Sequence, residues 1–504
     1  MGNWGGKVRR QLTVREWLAL LCAATTVVSA CRKPNDDHVA SNRRATLNVG
    51  AAQLTPDSPI AGLRQLSQLL ALEGLARAGD DGRMQPWLAE SWTSPDDGRS
   101  VVVKLKPGVK FQDGEPFDAG TAARLLPDTL RSFMGSLAGE VVSITPVNPT
   151  TVAIQFRQRS PFLIEALEAT IRKPGPAMIG TGPFMIEGNS TTDLRANHSY
   201  YLGAPAIERI TVSNHASVRT AWAEMLRNRL DMLWEVGSDA LDSMKNSSSI
   251  SLFTYTRHYQ HVIAFNTQSA ALRSPDIRRG LNFAVDRATV VHSALRDNGI
   301  PSSGPISPRH WAFPPDAQQF DFDARQAAGL LARGRRKSDG IHFTCLVPPD
   351  SIDERIALEV KRELAVLGVD MAVEEASRDE IVTRAANQRY EAVMTEVISG
   401  PTLFRQYLVW HTKSPSNWGH FGNATIDGSL DEVRQAPDEA AYRTAAAHLQ
   451  RAFMDDPPAI FLAWSVRARA ISKRFAVEAE EGRDVLSTIR LWKPVNIEPR
   501  ASHN

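Results

Sequence analysis

Val101, Val103 and Leu105 alternate with Val102, Lys104 and Lys106, the two-residue period of a half-buried strand. Asp97-Gly98 before this run, Pro107-Gly108 after it and Asp113-Gly114 further on supply turn chemistry. A helical period governs Ser351–Gly368, where Ile352, Ile356, Val360, Leu364 and Leu367 share one face. Ser351 and Glu354 have capping-box spacing there, and Gly368 is a stop signal. Val369, Met371 and Val373 then alternate as a strand. Another helix is predicted from Pro275 to Val285, with Ser274 as N-cap, Pro275 at the first helical position and Asp286 capping the next helix. Asp323 to Leu331 and Asp438 to Met454 also read as helices. Arg209–Ser213, His261–Phe265, Ile341–Val347, Ala392–Ile398 and Ala459–Trp464 read as strands. The pattern is mixed α/β, and 504 residues exceed what one hydrophobic core normally serves, so at least two lobes are expected.

The N-terminus has the pattern of an export signal. Lys7, Arg9, Arg10 and Arg15 make a basic start, and Trp17 to Ala30 is uncharged and mostly apolar, too short to span a bilayer comfortably. It ends in Val28-Ser-Ala-Cys31, which resembles a bacterial lipoprotein cleavage site. Cys31 is then the lipidated first residue, with Arg32 to Arg44 as a polar tether; simple cleavage near Ala30 is the alternative. Arg9-Arg10 is read as ordinary basic flanking in preference to a twin-arginine signal. With Cys22 inside the signal and Cys31 at its end, Cys345 stands alone and is expected to be a small core residue in an alternating strand.

Charge changes the picture little. Removing the first thirty residues takes away four basic and one acidic residue and leaves the signs in balance. No basic stripe suggests a nucleic-acid partner. Gly-x-Ser-x-Gly, His-Glu-x-x-His and Cys-x-x-Cys do not occur. Gly180-Thr-Gly182 runs into Pro183 and an apolar strand, so it lacks the helix N-terminus that phosphate binding needs and is read as a tight turn. His258 and His261 are three apart on a strand and point to opposite faces. His411 and His420 flank a loop. Solvated or core histidines are the expectation, with no metal, no cofactor and no enzymatic activity.

Six short words, in order over roughly residues 47–480, carry a resemblance. Leu72-Glu-Gly-Leu75 is followed by Asp81-Gly82 and Pro86-Trp-Leu-Ala-Glu-Ser-Trp92. Ile179-Gly-Thr-Gly-Pro-Phe184 matches a "GTGPF/Y" turn, and Asn197-His-Ser-Tyr-Tyr201 an "N-x-x-Y-W/Y" segment. Ala264-Phe-Asn-Thr267 precedes Ile277-Arg-Arg-Gly-Leu-Asn-Phe-Ala-Val-Asp-Arg287, and Asp456-Pro-Pro-Ala-Ile-Phe-Leu462 closes the series. Together they resemble the extracellular solute-binding proteins of ABC importers, in the family with dipeptide-, oligopeptide- and nickel-binding members (family 5).

That resemblance implies an α/β, two-lobed periplasmic-binding-protein-like fold of the class II, cluster C type, with a discontinuous first lobe and two hinge strands. The implied organisation is a signal peptide at 1–30, a polar tether at 31–44 and a first lobe at 45–260 with a trimmed small subdomain at about 85–180. A second lobe at 261–466 and a return to the first lobe with a C-terminal tail at 467–504 complete it. The crossing strands are expected near His261–Phe265 and Ala463–Arg469. The implied function is capture of a peptide or peptide-like solute in the interlobe cleft by a monomer, periplasmic or otherwise extracytoplasmic and held at the membrane if Cys31 is lipidated. Separate permease and ATPase subunits take delivery. A ligand sensor or chaperone using the same clamp is the alternative, as is a non-peptide cargo such as a nickel chelate, a sugar or an opine-like compound. By the same resemblance the ligand-binding residues are Gln53 in the first lobe, and Val397, Ile398, Ser399, Trp410, Asn417 and Trp418 in the second. Peptide-binding relatives place an Asp where this chain has Val397, which argues against strict recognition of a free α-ammonium.

Overall fold

Ile250–Phe265 and Ala459–Ser472, 16 and 14 residues long, are the longest strands of the structure. This is a computed structural model that describes residues 46–495 apart from 53–65, 96–97, 189–191, 317, 336–339, 418, 420 and 482, and without the side chains of 238, 239 and 258. The two strands pair antiparallel from Ile250↔Ser472 to Ala264↔Ala459. They lie within an eleven-stranded sheet, ordered Val369–Glu375, Ile341–Val347, Ala392–Ile398, Ile250–Phe265, Ala459–Ser472, Met232–Val236, Thr46–Ala52, Arg209–His215, Asp193–Ala196 and Phe184–Ile186, with Gly299–Pro301 on the second long strand.

Different halves of the long strands serve different parts of that sheet. Residues 259–265 pair with Ala392–Ile398, whereas 468–471 pair with Met232–Val236. The register between the long strands breaks midway. Thr256 faces Val466 and Gln260 faces Trp464, so three residues of one strand oppose a single residue of the other, a bulge that turns the ladder. The pairing therefore runs from one lobe's sheet into the other's.

The sequence pattern marks only the apolar stretches of these strands. Their extensions carry Tyr255, Arg467 and Arg469, which break the alternation yet stay in the ladder, and the two arginines are neutralised at the crossing, as described below.

Each lobe buries its sheet on both faces, as a sheet between layers of helices must. Ile263, Phe265, Phe343, Met394, Ile460 and Leu462 form one core with helices Pro275–Phe283, Arg287–Ser293, Ala324–Gly334 and Ser351–Val366. Cys345 lies in it, and burial pushes its thiol up to about 12, the inert core residue read from the sequence. On the opposite face Val262, Ala264, Val393 and Phe461 join helices Leu403–Trp410, Ala424–Gln435 and Glu439–Asp455. In the other lobe Leu47, Val49, Trp234 and Ile471 pack with the short helix Val485–Leu491. Leu233, Ala468 and Ala470 pack with Met225, Leu241 and Met244. Helix Ser351–Val366 buries Ile356, Val360 and Leu364, but its cap is Asp350, whose carboxylate accepts the Ile352 and Asp353 N–H groups. The expected cap, Ser351, is already the first helical residue.

A separate antiparallel sheet, ordered Ala89–Thr93, Ser100–Leu105, Thr151–Phe156 and Val141–Asn148, contains the alternating run. Val101, Val103 and Leu105 point inward, in one core with Leu126 and Leu130 of helix Ala119–Met134. Asp118 caps that helix through the Thr121 N–H.

Words far apart in sequence meet at Glu73. Its buried carboxyl accepts from Trp87 Nε1 (2.8 Å), Tyr200 Oη (2.6 Å), Tyr201 Oη (3.3 Å) and Thr181 Oγ1 (2.7 Å). Burial raises its pKa above the ordinary glutamate range, against the pull of those four donors. The flanking glycines are required by close approach. A Cβ on Gly180 would lie 2.3 Å from the Ala71 carbonyl oxygen, and one on Gly182 2.6 Å from that of Leu70. The later words do the same in the second lobe. Arg278 donates to the Pro457 carbonyl (2.9 Å), Asn282 to that of Ala459 (3.0 Å) and Arg287 to that of Phe461 (2.7 Å), fastening the helix pair to the start of the second long strand. Replacing Glu73 by Ala orphans several buried donors at once, and we expect a loss of at least about 3 kcal/mol in urea denaturation; a loss under about 1 kcal/mol would contradict this role.

Candidate functional site

Where the long strands cross, a carboxylate is surrounded by three basic groups. Glu396, near the end of Ala392–Ile398, lies 3.2 Å from Arg257 Nη1, 3.4 Å from Arg467 Nη2 and 3.3 Å from His261 Nε2. The Ser465 hydroxyl donates to it. Arg467 also binds Glu235 at 3.1 Å, and His261 Nδ1 lies 3.4 Å from Asp353. Next along the strand Arg469 pairs with Asp484 and lies 3.8 Å over the Trp234 ring and 4.7 Å over that of Tyr255. Burial would raise the Glu396 carboxyl, but His261, Arg467, Arg257 and the Ser465 hydrogen bond together hold it at about 2. The network draws on both lobes, Glu235 and Arg467 from one side and Glu396, His261 and Asp353 from the other.

The expected ligand segment starts on the same strand. Glu396 and Ile398 share a face, and Ile398 is 47% exposed and paired in register with Tyr259, whose ring carries Arg257 at 3.9 Å. Val397 points the opposite way, into the core with Val393, Leu403 and Phe404. Ser399 is buried, and its hydroxyl donates to Gln260 Oε1 (3.2 Å). Gln260 Nε2 donates to Ser302 Oγ (2.6 Å) and the Gly304 carbonyl (2.8 Å). Gln406 donates to the Ser399 carbonyl (2.9 Å) and accepts from Trp410 Nε1 (3.1 Å). A buried polar chain thus runs from Trp410 to the first long strand and fixes the end of Ala392–Ile398.

Two of the expected contact residues are buried in the scaffold of this loop. Trp410 has no exposed surface; its ring is enclosed by Phe421, Phe453 and Phe461 at 5.4–5.9 Å. Asn417 is buried as a loop staple, donating to the Phe421 (2.6 Å) and His411 (3.3 Å) carbonyls and accepting the Phe421 N–H (2.9 Å). The aromatic fills volume and the amide satisfies backbone groups next to a tight loop. Gln53, Trp418, His420 and Cys31 lie outside the described residues. His411 is also buried, stacked 4.4 Å from Tyr407. Among the described residues no group of three or more His, Cys, Asp or Glu side chains is placed to hold a metal ion, and no helix is long and apolar enough to cross a membrane.

A third feature has no local sequence signature: a closed seam between the region around the four-stranded sheet and the segment lying between the long strands. Glu165 accepts the Phe404 N–H (2.8 Å) and the Tyr442 hydroxyl (2.9 Å). Arg405 pairs with Glu168 at 3.1 Å, and Phe133 stacks on Phe404 with centroids 5.5 Å apart. Arg83 pairs with Glu439 (2.9 Å) and lies 4.6 Å over Trp311, whose ring also carries Arg443 at 5.0 Å and stacks on Tyr442. Gly82 closes the contact; a Cβ there would stand 2.2 Å from the Pro401 carbonyl oxygen. Nothing in the sequence of the Asp81-Gly82 turn indicates a partner more than two hundred residues away.

Residues 83–419 match the family model described as bacterial extracellular solute-binding proteins, family 5 Middle. Protein XP55 of Streptomyces lividans is 26% identical, with 91% of each chain covered. The nickel-binding periplasmic protein of Escherichia coli is 24% identical over 77% of this chain and 83% of its own. Among solved structures, NikZ from Campylobacter jejuni in complex with Ni(L-His) superposes with a TM-score of 0.75 at 19% identity, covering 89% of this chain and 99% of that one. The oligopeptide-binding protein AppA from Bacillus subtilis with a nonapeptide gives 0.72 at 19% identity, covering 90% and 99%. These structures share the two-lobed fold.

Removing one member of the crossing network strands the others. Arg467→Met leaves Glu396 and Glu235 short of a cation, and a loss of about 3–5 kcal/mol is expected in urea denaturation. The Glu396 contribution is present above the ordinary carboxylate range and is lost as pH falls from there toward about 2. Glu396→Gln is therefore expected to flatten the acid limb of a stability–pH curve; an unchanged limb would show that the charge is not engaged.

Proposed function

The chain belongs to family 5 of the bacterial extracellular solute-binding proteins, and we propose that it is the substrate-binding component of an ABC importer, holding a peptide or peptide-like solute between its lobes for delivery to a membrane permease. The observation that carries this reading is the pair of long strands shared by two half-sheets, with a bulge where they cross. A body built this way can bend at a few residues. A solute touching both lobes binds the closed form better and shifts the population toward it by that difference in affinity. Delivery needs no bond to be made or broken, and the energy comes from a separate ATPase subunit. Export follows from the basic, apolar and Val28-Ser-Ala-Cys31 sequence, with Cys31 lipidated as an anchor.

Relatives named for nickel, glutathione, dipeptide and heme binding show how widely cargo varies on this fold, so the class must come from the residues themselves. Val397 stands where peptide-binding relatives carry an Asp, and its side chain is buried among apolar groups. Glu396, the adjacent carboxylate, is already neutralised by Arg257 and Arg467. A free α-ammonium would find no unpaired carboxylate on this strand end and would lose hydration without compensation. We therefore favour a solute recognised without a free amino terminus. The expected contacts are Gln53, Trp418 and the strand end Val397-Ile-Ser399, the last through its backbone and the Ile398 side chain.

Native mass spectrometry of protein purified gently from its source weighs what the cleft holds. The expected result is one retained small molecule whose fragmentation lacks a free amino terminus. An unmodified di- to pentapeptide would overturn the argument from Val397, and reaction products accumulating from the bound compound would overturn the transport reading.

A further inference from the structure

Glu165 ends the short helix Phe162–Glu165, ahead of both long strands in the chain, yet both of its oxygens serve the segment between them. Phe404 stands in the first turn of helix Leu403–Trp410, whose N-cap residue Thr402 makes no side-chain capping bond. The cap arrives from across the seam, filling one of the N–H groups that a helix leaves unpaired at its start. Among the described residues Glu165 makes no ion pair with Arg, Lys or His.

The charged and titratable groups around it are otherwise engaged. Arg405, on the capped helix, is taken by Glu168 and lies over the rings of Phe133 and Phe404. His310 stacks on Tyr442, and burial lowers it to about 4, so it is neutral. Tyr407 packs edge-on against Phe162 and stacks on His411, which faces Asp427 and Asp431. Arg434 lies over Tyr407 and pairs with Asp431. Arg159 donates to the Pro437 carbonyl.

A buried carboxylate with no countercharge is costly. A proton removes that cost without emptying the seat: the carbonyl oxygen keeps the Tyr442 O–H, and the hydroxyl oxygen still accepts the Phe404 N–H. We propose that bringing the lobes together takes up a proton at Glu165, so that mild acid favours the closed form and alkali weakens it. This rests on the reading that the lobes part and close.

In the closed seam burial raises Glu165 to about 7, against the pull of the Phe404 N–H and the Tyr442 and Thr402 hydroxyls, with Glu168 adding to the rise. In the open form it titrates as an ordinary glutamate. The contribution to closure is therefore full below the ordinary glutamate range, falls as pH rises toward about 7 and is constant above. One proton gives roughly a tenfold change in the closed-to-open ratio per pH unit inside that window.

Amide hydrogen exchange on the intact protein reads this directly, with protection corrected for the intrinsic pH dependence of exchange. Protection in the peptide spanning residues 401–410 is expected to fall roughly tenfold per unit between about pH 5 and 7 and then level off. Glu165→Gln is expected to keep high protection with a flat profile. Tyr442→Phe, which retains the carboxyl but removes a donor that lowers it, is expected to move the midpoint to higher pH. Constant wild-type protection across the window, a sloping profile in Glu165→Gln or an unmoved midpoint in Tyr442→Phe would each overturn the proposal. If residues 401–410 exchange only together with the core strand Ala392–Ile398 at every pH, the lobes do not part, and the transport reading falls with it.

Discussion

The constraint on which the structure rests is the shared ladder of Ile250–Phe265 and Ala459–Ser472. Two sheets that must behave as separate lobes are built on the same two strands, so the strands cannot be apolar throughout. Where each leaves one lobe's core and enters the other's, its side chains meet groups from both lobes. Arg257, Arg467, Arg469, Glu235 and Glu396 occupy that point. Charges there hold the crossing in register, each paired with a partner of opposite sign.

The elements legible in the sequence are those whose pattern has a local cause. The alternation of Val101, Val103 and Leu105 and the apolar face of Ile356, Val360 and Leu364 are repeated by the structure. The words that carried the family resemblance were legible for a different reason: they are the scaffold. Glu73, Trp87, Thr181 and Tyr200 belong to one buried hydrogen-bond cluster, and Arg278, Asn282 and Arg287 fasten helices to a strand. Residues under such constraints mark the fold whatever the protein carries, which is why the sequence announced a family and left the cargo open.

Long-range polar contacts were not legible. The pairing of Arg467 with Glu235 and of Arg469 with Asp484 has no local pattern, because the partners are distant or unremarkable in sequence. The Glu165 contact with Phe404 and Tyr442 spans more than two hundred residues and leaves no periodic trace. Aromatic content near the expected cleft misled in the opposite direction: Trp410 satisfies its indole N–H on Gln406 and fills a core, which a sequence cannot distinguish from a stacking platform.

The bulge between the long strands has a mechanical consequence. Arg257 and residue 258 lie between Thr256↔Val466 and Gln260↔Trp464 and hold no rung of the ladder between the two strands. Swivelling there trades torsion angles in a slack stretch of chain and leaves the rungs on either side intact. The elastic stiffness of such a joint is then set mainly by the side chains clasped around it, so substitutions among them would tune how readily the molecule flexes without redrawing either half.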